Sequence, residues 1–258
     1  VGLRLVKACE PHPNLKKGWG GSWAVVGLLV VAHRGASAYE PENTLRAIER
    51  AWQLGADVVE VDVRATRDGR LVLMHDEAVD RTTNGHGLLR SLTLKQVKQL
   101  SAGGEAIPTL EEAIELALEL GIGLMIEVKE PDTVSAVAET VSKLGAEGST
   151  IFTSLYHEAI LRLRHACPGA LGYGVAVSSA PLRPWLLALD AGANMLLPRS
   201  PYVSPSLVKG CHDNSIHVVP WTVDGLPEAL RLVRLGVDGL VTNRPDVVVK
   251  LLKDLGER

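Results

Sequence analysis

The run Thr109-Leu110-Glu111-Glu112-Ala113-Ile114-Glu115-Leu116-Ala117-Leu118-Glu119-Leu120-Gly121-Ile122-Gly123-Leu124-Met125-Ile126-Glu127-Val128-Lys129 reads as one complete structural unit. Apolar residues recur at helical spacing over 110–120, and Leu120-Gly121 then marks a helix end where glycine takes the left-handed conformation. The short apolar run over 123–128 predicts a buried strand. Glu127 and Lys129 stand at its end, two residues apart and so on one side of the backbone. A helix that feeds such a strand is the repeating element of a parallel α/β fold.

The unit recurs in both directions along the chain. Strands are expected near residues 28–32, 57–63, 123–128, 149–152, 171–174, 194–197, 217–220 and 239–241. Helices are expected near 44–54, 110–120, 133–144, 157–165, 182–191, 206–213, 227–235 and 245–255. The Leu-Gly or Ala-Gly pair before a strand repeats at Gly55, Gly145, Gly192 and Gly236. Eight strands alternating with eight helices predict a closed (β/α)₈ TIM barrel, and a chain of 258 residues suits one such domain. No Gly-x-Gly-x-x-Gly follows the first strand, which argues against a dinucleotide-binding sheet.

Two stretches depart from the repeat. Residues 64–109, after the second strand, are far longer than an ordinary βα loop and read as a small insertion. It opens with the turn Arg67-Asp68-Gly69 and continues through a strand over 71–74 to His75-Asp76. The polar segment Arg81-Thr82-Thr83-Asn84-Gly85 and a short helix over 94–100 complete it. Residues 1–22 read as an extension outside the barrel, to which no role is assigned; the barrel domain is expected over 23–258.

Composition narrows the partners. With 46% hydrophobic and 22% charged residues, the chain has the balance of a soluble globular enzyme. Its 27 basic and 30 acidic side chains give a formal net charge of −3, which offers no polyanion-binding surface, so no nucleic acid is expected. The apolar stretch over 23–32 is half the roughly twenty residues that a spanning helix needs, so no stable membrane span is expected. Cys9, Cys167 and Cys211 are scattered and odd in number, which points to a reducing, cytoplasmic setting.

In a barrel, chemistry gathers at strand C-termini and the loops that follow. His33 and Arg34 end the first strand, Glu60 and Asp62 share one side of the second, His75 ends the hairpin strand, and Glu127 and Lys129 end the third. Buried ionised carboxylates each cost several kcal/mol unless neutralised, so three converging on one mouth call for a cation. An all-oxygen donor set without cysteine points to Mg²⁺ or Ca²⁺, with Mn²⁺ also suited. Each residue alone also has a structural reading, as a solvated group or an ion pair such as Glu127 with Lys129. His86, His157, His165, His212 and His217 read as surface, capping or packing residues, and His12 falls in the extension.

The ordered set His33-Arg34-Gly35, Pro41-Glu42-Asn43-Thr44, Val59-Glu60-Val61-Asp62-Val63, Met74-His75-Asp76, Glu127-Val128-Lys129, Trp221-Thr222-Val223 and Thr242-Asn243-Arg244-Pro245 resembles the glycerophosphodiester phosphodiesterase family over residues 28–250. The resemblance implies a divalent metal on Glu60, Asp62 and Glu127, and His33 and His75 as a paired general acid and base. It also implies Arg34 and Lys129 as phosphate-holding residues, and a small-molecule glycerophosphodiester as substrate. Trp221 is expected either to pack on the glycerol carbons or to join the core. The chain departs from the family at Leu155, where an aromatic is usual after the serine, and at Asp224 and Asn243, where Asn and Asp are usual respectively. Both departures are expected to lie clear of the metal and the histidines and to bear on substrate preference. Rival expectations are a lysophospholipase D-type reaction at the same centre and an inactive binding barrel.

Overall fold

The structure is a computed structural model that describes residues 27–258 together with the backbone of two short strands. Those strands, β1 (Leu15–Lys17) and β2 (Trp23–Val25), pair antiparallel, and the rest of the extension lies outside the described residues. The barrel begins with β3 (Leu29–Ala32), α1 (Leu45–Gln53) and β4 (Val58–Ala65). The insertion contributes β5 (Leu71–Leu73), α2 (Leu94–Val97), β6 (Ser101–Ala102) and β7 (Glu105–Ala106). Then follow α3 (Leu110–Leu120), β8 (Gly123–Val128), α4 (Val134–Lys143), β9 (Thr150–Ser154) and α5 (His157–Ala166). The chain continues through β10 (Gly172–Val177), α6 (Trp185–Asp190), β11 (Met195–Pro198) and α7 (Pro205–His212). It ends with β12 (His217–Val218), α8 (Leu226–Arg234), β13 (Gly239–Thr242) and α9 (Pro245–Leu255).

Eight parallel strands run in the order β12-β11-β10-β9-β8-β4-β3-β13, so consecutive strands are neighbours and the last pairs with the first. This is the nearly closed, TIM-like barrel the alternation predicts. The seam between β12 and β13 is carried by single bonds: Asp238 N–H to Val218 O, Val241 N–H to Pro220 O, and Val223 N–H to Val241 O. Pro220 has no N–H to give, which is why the seventh strand is shorter than its apolar run. The five expected glycines, Gly55, Gly121, Gly145, Gly192 and Gly236, all have positive φ. Helix α6 starts three residues later than expected, because Pro184 disfavours helical geometry at Arg183.

Alternation sorts the strand residues into two cores. Val30, Ala32, Val59, Val61, Val63, Ile126 and Val128 face outward into the layer beneath the helices. Leu29, Val31, Val58, Met125, Met195, Leu197, Val219 and Val241 fill the barrel interior. Continuing each inward series by two residues reaches His33, Glu60 then Asp62, Glu127 then Lys129, Trp221 and Asn243. The polar site therefore caps an apolar plug.

Strand β4 runs past its parallel partner, and its last residues pair antiparallel with β5. The insertion rests on its own small core of Val72, Met74, Val79, Leu89, Val97 and Ile107. Met74 N–H bonds to Asp62 O at 2.9 Å, so the residue before His75 is anchored to the backbone of a site carboxylate.

Candidate active site

The turn after β3 explains the spacing of the first motif. Arg34 has φ +55° and Gly35 φ +81°, and a Cβ on Gly35 would lie 2.6 Å from the backbone of Ala47 in α1. Only glycine fits there. That turn points the Arg34 N–H at Glu60 Oε2, 2.8 Å away.

Glu60, Asp62 and Glu127 offer carboxylate oxygens that all lie within 4.8 Å of one another. Glu60 and Asp62 are buried and Glu127 is partly so. Lys129 Nζ sits 2.9 Å from Asp62 Oδ1 and 2.6 Å from Glu127 Oε1. Arg34 Nε lies 3.2 Å from Asp62 Oδ2, and its Nη1 donates to Glu42 at 2.9 Å. Lys129 and Arg34 neutralise Asp62 and Glu127 only in part, because Arg34 is shared with Glu42, and Glu60 Oε1, though buried, has no donor among the described residues. A hard divalent cation fits that donor set.

The electrostatics follow from burial and crowding. Burial raises the Glu60 carboxyl well above the usual range, and the neighbouring Asp62 and Glu127 charges push it further. Burial also raises Glu127, with Lys129 opposing. For Asp62, burial is outweighed by Lys129 and Arg34, which hold it at about 2.

Both histidines are held through Nδ1. His75 Nδ1 lies 2.6 Å from Asp76 Oδ1. Arg81 joins Asp76 to Glu42 through a salt bridge on each side, and Glu42 returns to Arg34. This belt ties the insertion to the first loop. His33 Nδ1 lies 2.7 Å from Asn243 Oδ1, and burial, then the Arg34 charge, lowers its pKa.

The structure thus brings together His33, Arg34, Glu60, Asp62, Glu127, Lys129 and, on the adjoining hairpin, His75. Trp221 is half-buried: its Nε1–H donates to Leu197 O at 2.8 Å and its ring packs on the interior core. One expectation fails. Asn243 does not lie clear of the histidines, because β13 pairs with β3 and carries the Asn243 amide directly onto His33. Asn43, Glu42 and Asp76 receive no role from sequence although they lie inside the family motifs, and Arg81, in the polar segment of the insertion, receives none either. Of the histidines set aside, His86 pairs with Asp80, His157 bonds to Ala176 O, and His212 and His217 flank Asp238.

The sequence profile of the Glycerophosphoryl diester phosphodiesterase family matches residues 33–247. The chain belongs to this family. A glycerophosphodiester phosphodiesterase of Caldanaerobacter subterraneus is 37% identical over 241 residues, covering 88% of this chain and 99% of that protein. Glycerophosphodiester phosphodiesterase 1 of Mus musculus is 32% identical, covering 77% of this chain and 72% of the mouse protein. Among solved structures, an Oleispira antarctica phosphodiesterase in complex with the product sn-glycerol-3-phosphate superposes with a TM-score of 0.81. It shares 27% identity and covers 88% of this chain and 97% of that one. Membership of a family of phosphoric diester hydrolases agrees with the chemistry of the mouth. No helix among the described residues is long and apolar enough to cross a membrane.

Proposed function

We propose that this family member hydrolyses glycerophosphodiesters to an alcohol and glycerol 3-phosphate, with Glu60, Asp62 and Glu127 holding a divalent ion and His33 and His75 acting as the acid–base pair. The observation that carries the reading is the carboxylate trio with its unpartnered Glu60 oxygen, set between the anchored histidine loops. The product named with the Oleispira antarctica structure supports the choice of glycerol 3-phosphate.

Mg²⁺, Ca²⁺ or Mn²⁺ held by the trio would supply Lewis-acid neutralisation of phosphate charge. Arg34 and Lys129 add fixed positive charge for the non-bridging oxygens as negative charge develops on them. A P–O bond forms to the oxygen of water or of the adjacent glycerol hydroxyl, while the P–O bond to the leaving alcohol breaks. One imidazole takes the nucleophile's proton and the other returns a proton to the leaving alkoxide; in the cyclic route, water then opens the ring to the same products. Trp221, only half-buried above the interior core, is positioned to meet the glycerol carbons.

The free thiols support a reducing, cytoplasmic setting. Cys167 and Cys211 are buried and unpaired, and burial with Asp238 nearby pushes the Cys211 thiol up to about 12. Turnover of glycerophosphocholine set against lysophosphatidylcholine tests the substrate class. The proposal expects the glycerophosphodiester to be favoured, and faster release of choline from the lysophospholipid would replace it with the lysophospholipase D reading.

A further inference from the structure

The residue that holds His33 is itself oriented by a carboxylate that never touches the ring. Asp224 Oδ1 accepts the Asn243 backbone N–H at 2.8 Å and the Thr242 hydroxyl at 3.1 Å. Asp224 Oδ2 accepts from Asn243 Nδ2 at 2.6 Å. An ionised carboxylate only accepts hydrogen bonds, so this short contact fixes which end of the Asn243 amide faces it. The opposite end, Oδ1, then faces His33 Nδ1 at 2.7 Å and Ser37 Oγ at 2.8 Å. Ser37 Oγ also lies 2.7 Å from His33 O. Because an amide oxygen cannot donate, Nδ1 must carry the ring's proton, and the lone pair of neutral His33 is on Nε2. Among the described residues, no hydrogen bond engages that nitrogen. The charges of Arg34, Asp62 and Lys129 act on the ring.

We infer that Asp224 and Asn243 are positioning residues, a relay across the closing seam of the barrel that fixes the tautomer of His33 and so leaves its Nε2 lone pair free to receive a proton in the proposed reaction. This inference rests on the proposed hydrolysis for its kinetic consequence but not for its structural one.

The relay makes a sharp statement about an isosteric change remote from the ring. In Asp224→Asn, the new amide keeps its oxygen on the Asn243 N–H and turns its NH₂ toward the Asn243 side chain. Asn243 must then flip, its Nδ2 donates to His33 Nδ1, and the proton is forced to Nε2, where the base is needed. The exchange Asp224→Asn with Asn243→Asp satisfies every donor again. The amide introduced at position 224 donates to the carboxylate introduced at position 243, and that carboxylate accepts from His33 Nδ1–H. Asn243→Asp alone sets two carboxylates against each other.

The test reads both the tautomer and the kinetics in wild type, the two single variants and the exchange. Imidazole ¹⁵N NMR of the metal-free proteins should show neutral His33 protonated at Nδ1 in wild type and in the exchange, and at Nε2 in Asp224→Asn. Turnover of glycerophosphocholine should fall about 10-fold or more in kcat for each single variant, with KM within about twofold, and recover in the exchange. Wild-type His33 protonated at Nε2 would overturn the relay. So would Asp224→Asn with wild-type kcat, or an exchange no better than the single variants. An inert wild type would instead remove the proposed hydrolysis, and the NMR arm would still decide the relay.

Discussion

Asn43 and Asp62 clasp each other through two hydrogen bonds: Asn43 Nδ2 donates to Asp62 Oδ2 at 2.9 Å, and Asp62 N–H donates to Asn43 Oδ1 at 3.0 Å. The pair fixes one carboxylate of the trio in position and links it to the first loop. Asn43 itself has φ +57°, a conformation asparagine tolerates better than most residues. Its substitution by glycine tolerates that backbone and removes the clasp along with the buried side chain. Asn43→Gly should weaken divalent-metal binding about 10- to 100-fold, as loss of a ligand-orienting partner does elsewhere. Titration calorimetry with Mg²⁺, Ca²⁺ and Mn²⁺ measures this directly, and wild-type affinity in the variant would show that Asp62 needs no such support.

Metal binding should also release a proton. The Glu60 carboxyl is raised from 4.5 by burial first and by Asp62 and Glu127 next. In the metal-free protein it therefore keeps its proton above pH 4.5, where an unfolded glutamate has lost it. The sign for stability follows: the folded state binds the extra proton, so this group's contribution declines as pH rises from 4.5 through the raised value. A bound dication offsets that loss. Calorimetry in two buffers of different ionisation enthalpy should report net proton release on binding, and metal affinity should fall as pH is lowered. Binding enthalpies that do not depend on the buffer would contradict a proton held on Glu60.

His33→Ala and His75→Ala should each lower turnover by about 10²-fold or more while the fold survives. Circular dichroism and thermal melting check the fold; hydrolysis of glycerophosphocholine checks the chemistry. Near-wild-type rates in both variants would sink the acid–base assignment.

The glycine of the first motif is a packing requirement. Gly35→Ala forces a Cβ to within 2.6 Å of the Ala47 backbone at a φ of +81°. The change should cost roughly 3 kcal/mol, from overpacking plus left-handed strain. Chemical denaturation would read it as a lower midpoint with an unchanged slope; an unshifted midpoint would show that α1 yields freely.

The barrel is legible in the sequence because strand and helix periods alternate so regularly, and because inward and outward residues separate by parity. Glu60, Asp62, Glu127 and Lys129 are legible for the same reason, since each continues an inward-facing series to the strand's end. Asn43 and Asn243 are not, although both sit in recognisable motifs. Asn43 meets Asp62 across 19 residues and Asn243 meets His33 across 210, by way of loop folding and barrel closure. Neither contact has a local pattern to announce it. The limits of β12 and α6 escape the apolar periodicity through Pro220 and Pro184, whose effects lie on the backbone. Trp221 is divided between core and site because its indole N–H is bonded inward while the residue is only half-buried.

The claim that joins these observations is metal-dependent hydrolysis of a glycerophosphodiester at the carboxylate trio. It is tested most directly by following glycerophosphocholine turnover by ³¹P NMR in excess chelator, and again after adding Mg²⁺, Ca²⁺ or Mn²⁺ separately. Turnover should be absent with chelator, and glycerol 3-phosphate should form once a suitable metal is restored. Sustained turnover in excess chelator, or no product with any of the three metals, would contradict it.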